Sequence, residues 1–196
     1  MPKIVTEEAK EDIRLEILNI AYRLIKEYGL IHTSIEKITK ECNIGKGTFY
    51  LYFHSKEELV VALMLKQGHD SMQHFQRILN GREKMNREEG KEYLKYVINR
   101  DDSIYRFLPI DYLKKLEKQF PDQWNSIQPG HRTETIQALL LRIEGVKNDI
   151  DVGLVADLMK VCSVAFHNWD NSIIKPSKEE IENSIYSHLF SLIFEQ

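Results

Sequence analysis

A chain of 196 residues, 42% of them hydrophobic and 29% charged, has the make-up of ordinary globular protein, enough for one domain of moderate size or two small ones. No apolar run approaches the roughly 18 residues that cross a bilayer, and Met1-Pro2-Lys3-Ile4-Val5-Thr6-Glu7-Glu8 lacks the apolar core of a signal peptide, so the expectation is a cytoplasmic protein without a membrane partner. The formal net charge of −3 argues against indiscriminate nucleic-acid binding. Cys42 and Cys162 lie far apart on separate apolar stripes and read as reduced core thiols rather than a disulfide.

Thr6 caps a first helix in which Ile13, Ile17, Ile20, Ala21, Leu24 and Ile25 form an apolar stripe, and Tyr28-Gly29 ends it. From Thr33 to Lys56 the pattern is two short helices and a tight turn. Thr33 and Glu36 stand at capping-box spacing. Ile35, Ile38 and Cys42 make one narrow stripe on a helix of about ten residues, and Asn43, which tolerates the left-handed conformation, stops it. The second helix, from Lys46 to about Phe53, would bury Phe49 and Phe53 and leave Lys46, Thr48, Tyr50, Leu51 and Tyr52 more exposed. Gly45 and Gly47 bracket Lys46, and a residue without a side chain lets the backbone approach a phosphate or a base edge. Two such units too small to fold alone need the first helix as a brace across them.

Read as a helix-turn-helix, this stretch puts Lys46 and Gly47 at the start of the recognition helix and Tyr50 one turn later, where side chains reach base edges in the major groove. Charge is locally favourable. Ser34 to Lys56 holds four lysines (37, 40, 46, 56) against two glutamates (36, 41). A plain helical hairpin with a polar surface is the competing interpretation. Ser55 and Glu58 then form another capping box that opens a longer helix.

These residues together resemble the tetracycline-repressor-like (TetR) transcriptional regulators. The elements that carry the likeness are Gly29, Thr33-Ser34, Gly47-Thr48-Phe49-Tyr50-Leu51-Tyr52-Phe53 and Ser55-Lys56-Glu57-Glu58-Leu59. The departures are Thr39, Cys42-Asn43 and Gly45, where the family usually has alanine, Ala-Gly and serine. The resemblance implies phosphate contacts for Ser34, Thr48, Tyr52 and Lys56, and an effector cavity in a C-terminal helical domain. It makes the default a repressor released from double-stranded operator DNA by a small, largely apolar molecule.

Downstream, the helix opened at Ser55 is expected to reach about Asn80, with Leu59, Val60, Leu63, Met64, Phe75 and Leu79 inward. Asn80-Gly81 is a turn, Arg82 to Gly90 reads as a loop or frayed start, and a helix follows from about Glu92 to Arg100. Pro109 should break or kink the aromatic segment that contains it, and Pro129-Gly130 marks a turn before a helix from Glu134 to Ile143. The aromatics Phe75, Tyr93, Tyr96, Tyr105, Phe107, Tyr112, Trp124 and Phe166 are the candidate lining of the effector cavity, with plain core packing as the alternative for each.

The last two helices, expected over Asp149 to Trp169 and Ser177 to Glu195, are apolar over a wide arc. The former has Leu154, Leu158, Val161, Cys162, Ala165 and Trp169 on one side and Val152, Val155, Ala156, Met159 and Phe166 on another. Such helices need cover on more than one face, which points to a homodimer with Val155, Met159, Phe166, Ile181, Ile185, Leu189 and Leu192 in its interface.

The expected fold class is therefore all-α: a three-helix DNA-binding domain over residues 1–54 and a helical effector-binding and dimerisation domain over 55–196. The histidines show no metal-binding spacing, and neither a metal nor a cofactor is expected. No glycine-rich phosphate loop, Cys-x-x-Cys or nucleophile elbow is present to support an enzyme. A helical adaptor that binds another protein is the alternative to a regulator.

Overall fold

The computed structural model describes residues 6–100, 102–127, 133–167 and 178–195, and among them the chain is helical with isolated β-bridges and no strand. The helices are α1 (Glu7–Tyr28), α2 (Ile35–Glu41), α3 (Lys46–Tyr50), α4 (Lys56–Leu79), α5 (Arg87–Asn99), a 3-10 turn (Ile104–Phe107), α6 (Ile110–Gln119), α7 (Pro121–Ile127), α8 (Thr133–Leu140), α9 (Val152–His167) and α10 (Lys178–Ile193). None of the described helices is long and apolar enough to cross a membrane. The Pro129-Gly130 turn, Trp169 and the Ser177 cap lie outside the described residues.

Packing divides the chain into two compact units, with the division inside α4. One contains Met1–Gly68 and Ile104–Ile127, the other His69–Ser103 and Gln128–Gln196. In the first, Ile17, Leu18, Ala21, Leu24 and Ile25 of α1 meet Ile38, Phe49 and Phe53 of the helix-turn-helix and Leu59, Val60, Leu63 and Met64 of α4. Ile104, Leu108 and Leu116, from a segment far along the chain, complete the same core. This layer adds apolar cover to a unit whose α2 and α3 are too short to bury much surface themselves.

The local punctuation explains the helix ends. Thr6 accepts from the Ala9 amide, and Gly29 closes α1 at φ +78°, a conformation that residues with a side chain rarely adopt. Pro109 stands at the N-cap of α6, where its missing N–H costs no helical bond. At the start of α4, Ser55 accepts from the Glu58 amide at 3.0 Å, while the Glu58 carboxylate takes the His54 amide at 2.7 Å rather than that of Ser55.

The second unit has its own core. Phe75 and Leu79 end α4, Tyr93, Leu94 and Ile98 come from α5, Ile136 and Leu140 from α8, Val155, Met159 and Cys162 from α9, and Tyr186, Leu189 and Ile193 from α10. Arg82 to Gly90 is not a simple loop: Asn86 and Glu89 form a complete capping box, and α5 starts at Arg87. Conversely, α8 stops at Leu140. The chain then turns through Gly145 at φ +72°, pairing Met85 with Ile143 and Val146 with Phe194 as single bridges. Gly90 is buried under this turn, and a Cβ there would run into the Ile143 side chain.

Candidate nucleic-acid interface

The site grows from the buried side of α3. Phe49 and Phe53 are wholly buried with ring centroids 5.8 Å apart, and the Arg14 guanidinium lies 5.5 Å from the Phe53 ring. With those rings inward, the opposite side of α3 must face water. Tyr50 is 48% exposed and Leu51 81%, whereas Thr48 and Tyr52 are half-buried, Tyr52 resting on the core. α3 is shorter than the sequence suggests, because Leu51 and Tyr52 bond back to Thr48 and Phe49 in a tightened turn. Nothing stands within 4 Å of where a Cβ at Gly47 would be, so the chain's own packing does not require glycine there.

The turn before α3 follows from Asn43, at φ +53°, which lets the Ile44 amide bond to the Thr39 carbonyl at 3.0 Å. The cap of α2 is Ser34, not Thr33. Thr33 is fully buried and its hydroxyl donates to the Gly29 carbonyl at 2.9 Å, which leaves the next residue, in an extended conformation, to accept from the Lys37 amide at 3.2 Å.

The cations are arranged differently from their bare sum. Lys46 is exposed at the start of α3, and its ammonium lies 2.5 Å from the Glu36 carboxylate across the turn. The Lys46 ammonium first, then the helix backbone and the Ser34 hydroxyl, hold the Glu36 carboxyl down to about 2, and the same contact raises Lys46. Lys37 lies over the Tyr28 ring at 3.4 Å. Lys56, also expected to reach a phosphate, donates to the Leu30 carbonyl at 2.5 Å, and burial lowers its pKa. Sequence reasoning did not find Glu36 as a partner of Lys46, nor Arg14 over Phe53. Each contact joins side chains brought together only by the turn or by packing across α1.

The eight candidate cavity aromatics are not gathered in one place. Tyr105, Phe107, Tyr112 and Trp124 pack against the first unit's core, where the buried Tyr112 hydroxyl has no hydrogen-bond partner among the described residues. Phe75 and Tyr93 are buried in the second unit, and burial pushes the Tyr93 phenol up to about 12. Tyr96 is half-buried beside them, with the His74 ring 4.5 Å away and the Phe75 and Tyr93 rings 5.1 Å apart. A shallow groove of about 450 Å³ runs past Tyr96 between Lys95 and Arg100. The Phe166 side chain lies outside the described residues.

The candidate dimer residues divide as well. Val155, Met159 and Leu189 are buried in the second unit's core, while Ile181, Ile185 and Leu192 are half-buried. The outward apolar side of α9 is the other one: Leu154 is 47% and Val161 62% exposed, with Leu158 half-buried and Ala165 exposed. α9 offers two apolar sides in sequence, and the fold of its own unit consumes the one that carries Val155 and Met159.

Against known proteins, residues 17–63 match the family model described as bacterial regulatory proteins, tetR family. That stretch, about a quarter of the chain, is similar to the TetR family. Over 64 residues, 33% of the chain, it is 45% identical to the uncharacterized HTH-type transcriptional regulator YuxN of Bacillus subtilis, but that match spans only 21% of the relative's own length. Two solved structures extend the likeness to the whole fold. Salmonella enterica GusR superposes with a TM-score of 0.59 at 21% identity, covering 96% of this chain and 98% of its own. FadR from Bacillus subtilis, in complex with stearoyl-CoA, gives 0.59 at 21% identity over 90% and 97%. The TetR match thus runs from inside α1 to the early part of α4 and takes in all of α2 and α3.

Proposed function

We propose that this TetR-like chain is a cytoplasmic, ligand-responsive transcriptional regulator that binds operator DNA as a homodimer, as a repressor rather than an enzyme. The observation that carries this is α3 itself: five residues anchored by fully buried Phe49 and Phe53, presenting exposed Lys46, Gly47 and Tyr50 to solvent. An exposed tyrosine beside a lysine and an unfilled glycine is what a base-reading surface needs. Tyr50 addresses base edges, Lys46 at the start of α3 addresses the phosphate beside them, and Ser34, Thr48 and Tyr52 address phosphates on either side. Lys56 braces the loop at Leu30 and acts on DNA through position.

The second copy binds on the outward stripe of α9, Leu154, Leu158, Val161 and Ala165, with Ile181, Ile185 and Leu192 of α10 beside it. This stripe is exposed and apolar, and no described residue of its own unit covers it fully. The effector binds in the second unit against His74, Phe75, Tyr93 and Tyr96, whose rings already form a contiguous apolar wall with polar tips. An acyl-CoA is the first class to try, since FadR of the same fold is known with stearoyl-CoA.

The test is selection of duplexes from a randomised pool by the purified protein. Enrichment of a near-palindrome whose half-sites lie one DNA turn apart, about 34 to 36 Å, is the expected result, and stearoyl-CoA should release the selected duplex. A pool unchanged after repeated rounds would reject the regulator and favour the adaptor.

A further inference from the structure

The Glu36 carboxylate stands where Lys46 would otherwise be free. It reaches from the first turn of α2 across to the start of α3, 2.5 Å from the ammonium, and both side chains are exposed. No fold requirement explains it, because the α2 to α3 turn is already fixed by Asn43 and by the buried Ile38 and Phe49. Accepting the DNA-binding function above, we propose that Glu36 is an affinity-setting residue: it competes with DNA phosphate for Lys46 and so holds down binding to DNA of any sequence.

The physics is an exchange of partners. A phosphate that takes Lys46 must part it from Glu36 and leaves a bare carboxylate beside the DNA backbone. An ion pair that carries no net charge displaces no condensed counterions, whereas an unpaired lysine displaces about one per phosphate contact. Exposed pairs are individually weak, so the effect at one reader is modest, but a dimer places two readers on the same duplex and the factors multiply.

The test measures binding of wild type, Glu36→Gln, Lys46→Gln and the double variant to random-sequence duplex and to the selected operator over a range of salt. Glu36→Gln keeps the shape of the side chain and removes its charge. It should tighten random-duplex binding about twofold per reader, hence about fourfold for the dimer, and steepen the salt slope by about one per reader. The operator should gain no more than random DNA. In the Lys46→Gln background the same change should give little, because the pair has already gone. An equal gain in both backgrounds would reduce Glu36 to a general negative charge and overturn the inference. So would no gain on random duplex, or a loss on the operator, which would make the carboxylate itself a DNA contact. The random-duplex arm needs no operator, so it still reads Glu36 if no sequence is ever enriched, a result that would sink the proposed function instead.

Discussion

The two units solve the same problem, making short helices stable, by different means. In the first the helix ends are set by local punctuation: Thr6, Gly29, Ser34, Asn43 and Ser55 each end or begin a helix within a few residues of their own position. The second depends on contacts between distant parts of the chain, with Met85 bonded to Arg142 and Glu144, Gly145 to Glu195 and Lys147 to Ile193. The Arg87 guanidinium reaches the Glu195 carbonyl in the same cluster. The difference teaches where sequence reasoning is firmest: where a signal and its consequence are neighbours, and not where the partner lies about fifty residues away.

The largest expected effect separates a residue that is core from one that is surface, both apolar and both on the last two helices. Leu189→Asp places a charge in a sealed core and should cost about 3–5 kcal/mol, enough to unfold the second unit. Val161→Asp, on the outward side of α9, should leave the helical content and melting of the protomer intact while shifting the protein from dimer to monomer. Sedimentation and circular dichroism of the two variants read this directly. A folded, dimeric Val161→Asp would place the interface elsewhere, and a folded Leu189→Asp would contradict the core described above.

Next comes Gly90, where α5 passes under Ile143. Gly90→Ala improves helix propensity by about 1 kcal/mol yet forces a methyl into a buried β-branched side chain, so a net loss of about 1–2 kcal/mol is expected. Ile143→Ala should be less damaging in the Gly90→Ala background than alone, because the new methyl fills part of the space it vacates. Denaturant titration of the cycle checks it. Strict additivity would mean that Ile143 moves aside freely.

How much of this was readable beforehand depends on the residue. The all-α class, the α2 to α3 turn at Asn43 and the burial of Phe49 and Phe53 follow from spacing and from the preferences of single side chains. The capping box at Asn86 and Glu89 was equally present in sequence and was hidden by the charged run around it. The partition of Tyr105, Phe107, Tyr112 and Trp124 from Phe75 and Tyr93 was not readable at all, since nothing local says which core a returning segment joins. The same holds for α9: two apolar sides are visible, but only the tertiary contacts of Val155 and Met159 decide which one turns inward. On the exposed side of α3 the exposure of Lys46 and Tyr50 was legible and the pairings of the lysines were not, as Lys56 and Lys46 show.

Lys56 gives the third prediction. Its ammonium donates to the Leu30 carbonyl and is partly buried, so Lys56→Met should lower stability by about 1 kcal/mol and weaken operator and random duplexes alike. The salt slope should stay unchanged, since no counterion was displaced by this group in the first place. A slope reduced by about one per protomer would restore it as a phosphate contact. Because its pKa is lowered in the fold, the unfolded chain holds this proton more tightly. Its contribution therefore rises with pH as the solution passes from the folded value toward the ordinary 10.5 of lysine.

The smallest effect compares the two thiols, one in each unit. Both are buried, but Cys42 lies near Glu16 and Glu41, and burial first, then those two carboxylates, push it from 9.0 up to about 11. Burial also raises Cys162, while a backbone hydrogen bond to its sulfur pulls the other way. A folded-state pKa above the unfolded one means that the thiol's contribution is complete below pH 9 and lost between about 9 and 11, as the unfolded chain gains by ionising. The wild type should therefore lose stability relative to Cys42→Ala across that window, on the order of 1 kcal/mol. Since only the thiolate reacts, alkylation followed by mass spectrometry at pH 9 should label Cys162 severalfold faster than Cys42. If Cys42 were labelled first at every pH, opening of the helix-turn-helix rather than ionisation would control its rate, and the reader would be the less stable of the two units despite its better local punctuation.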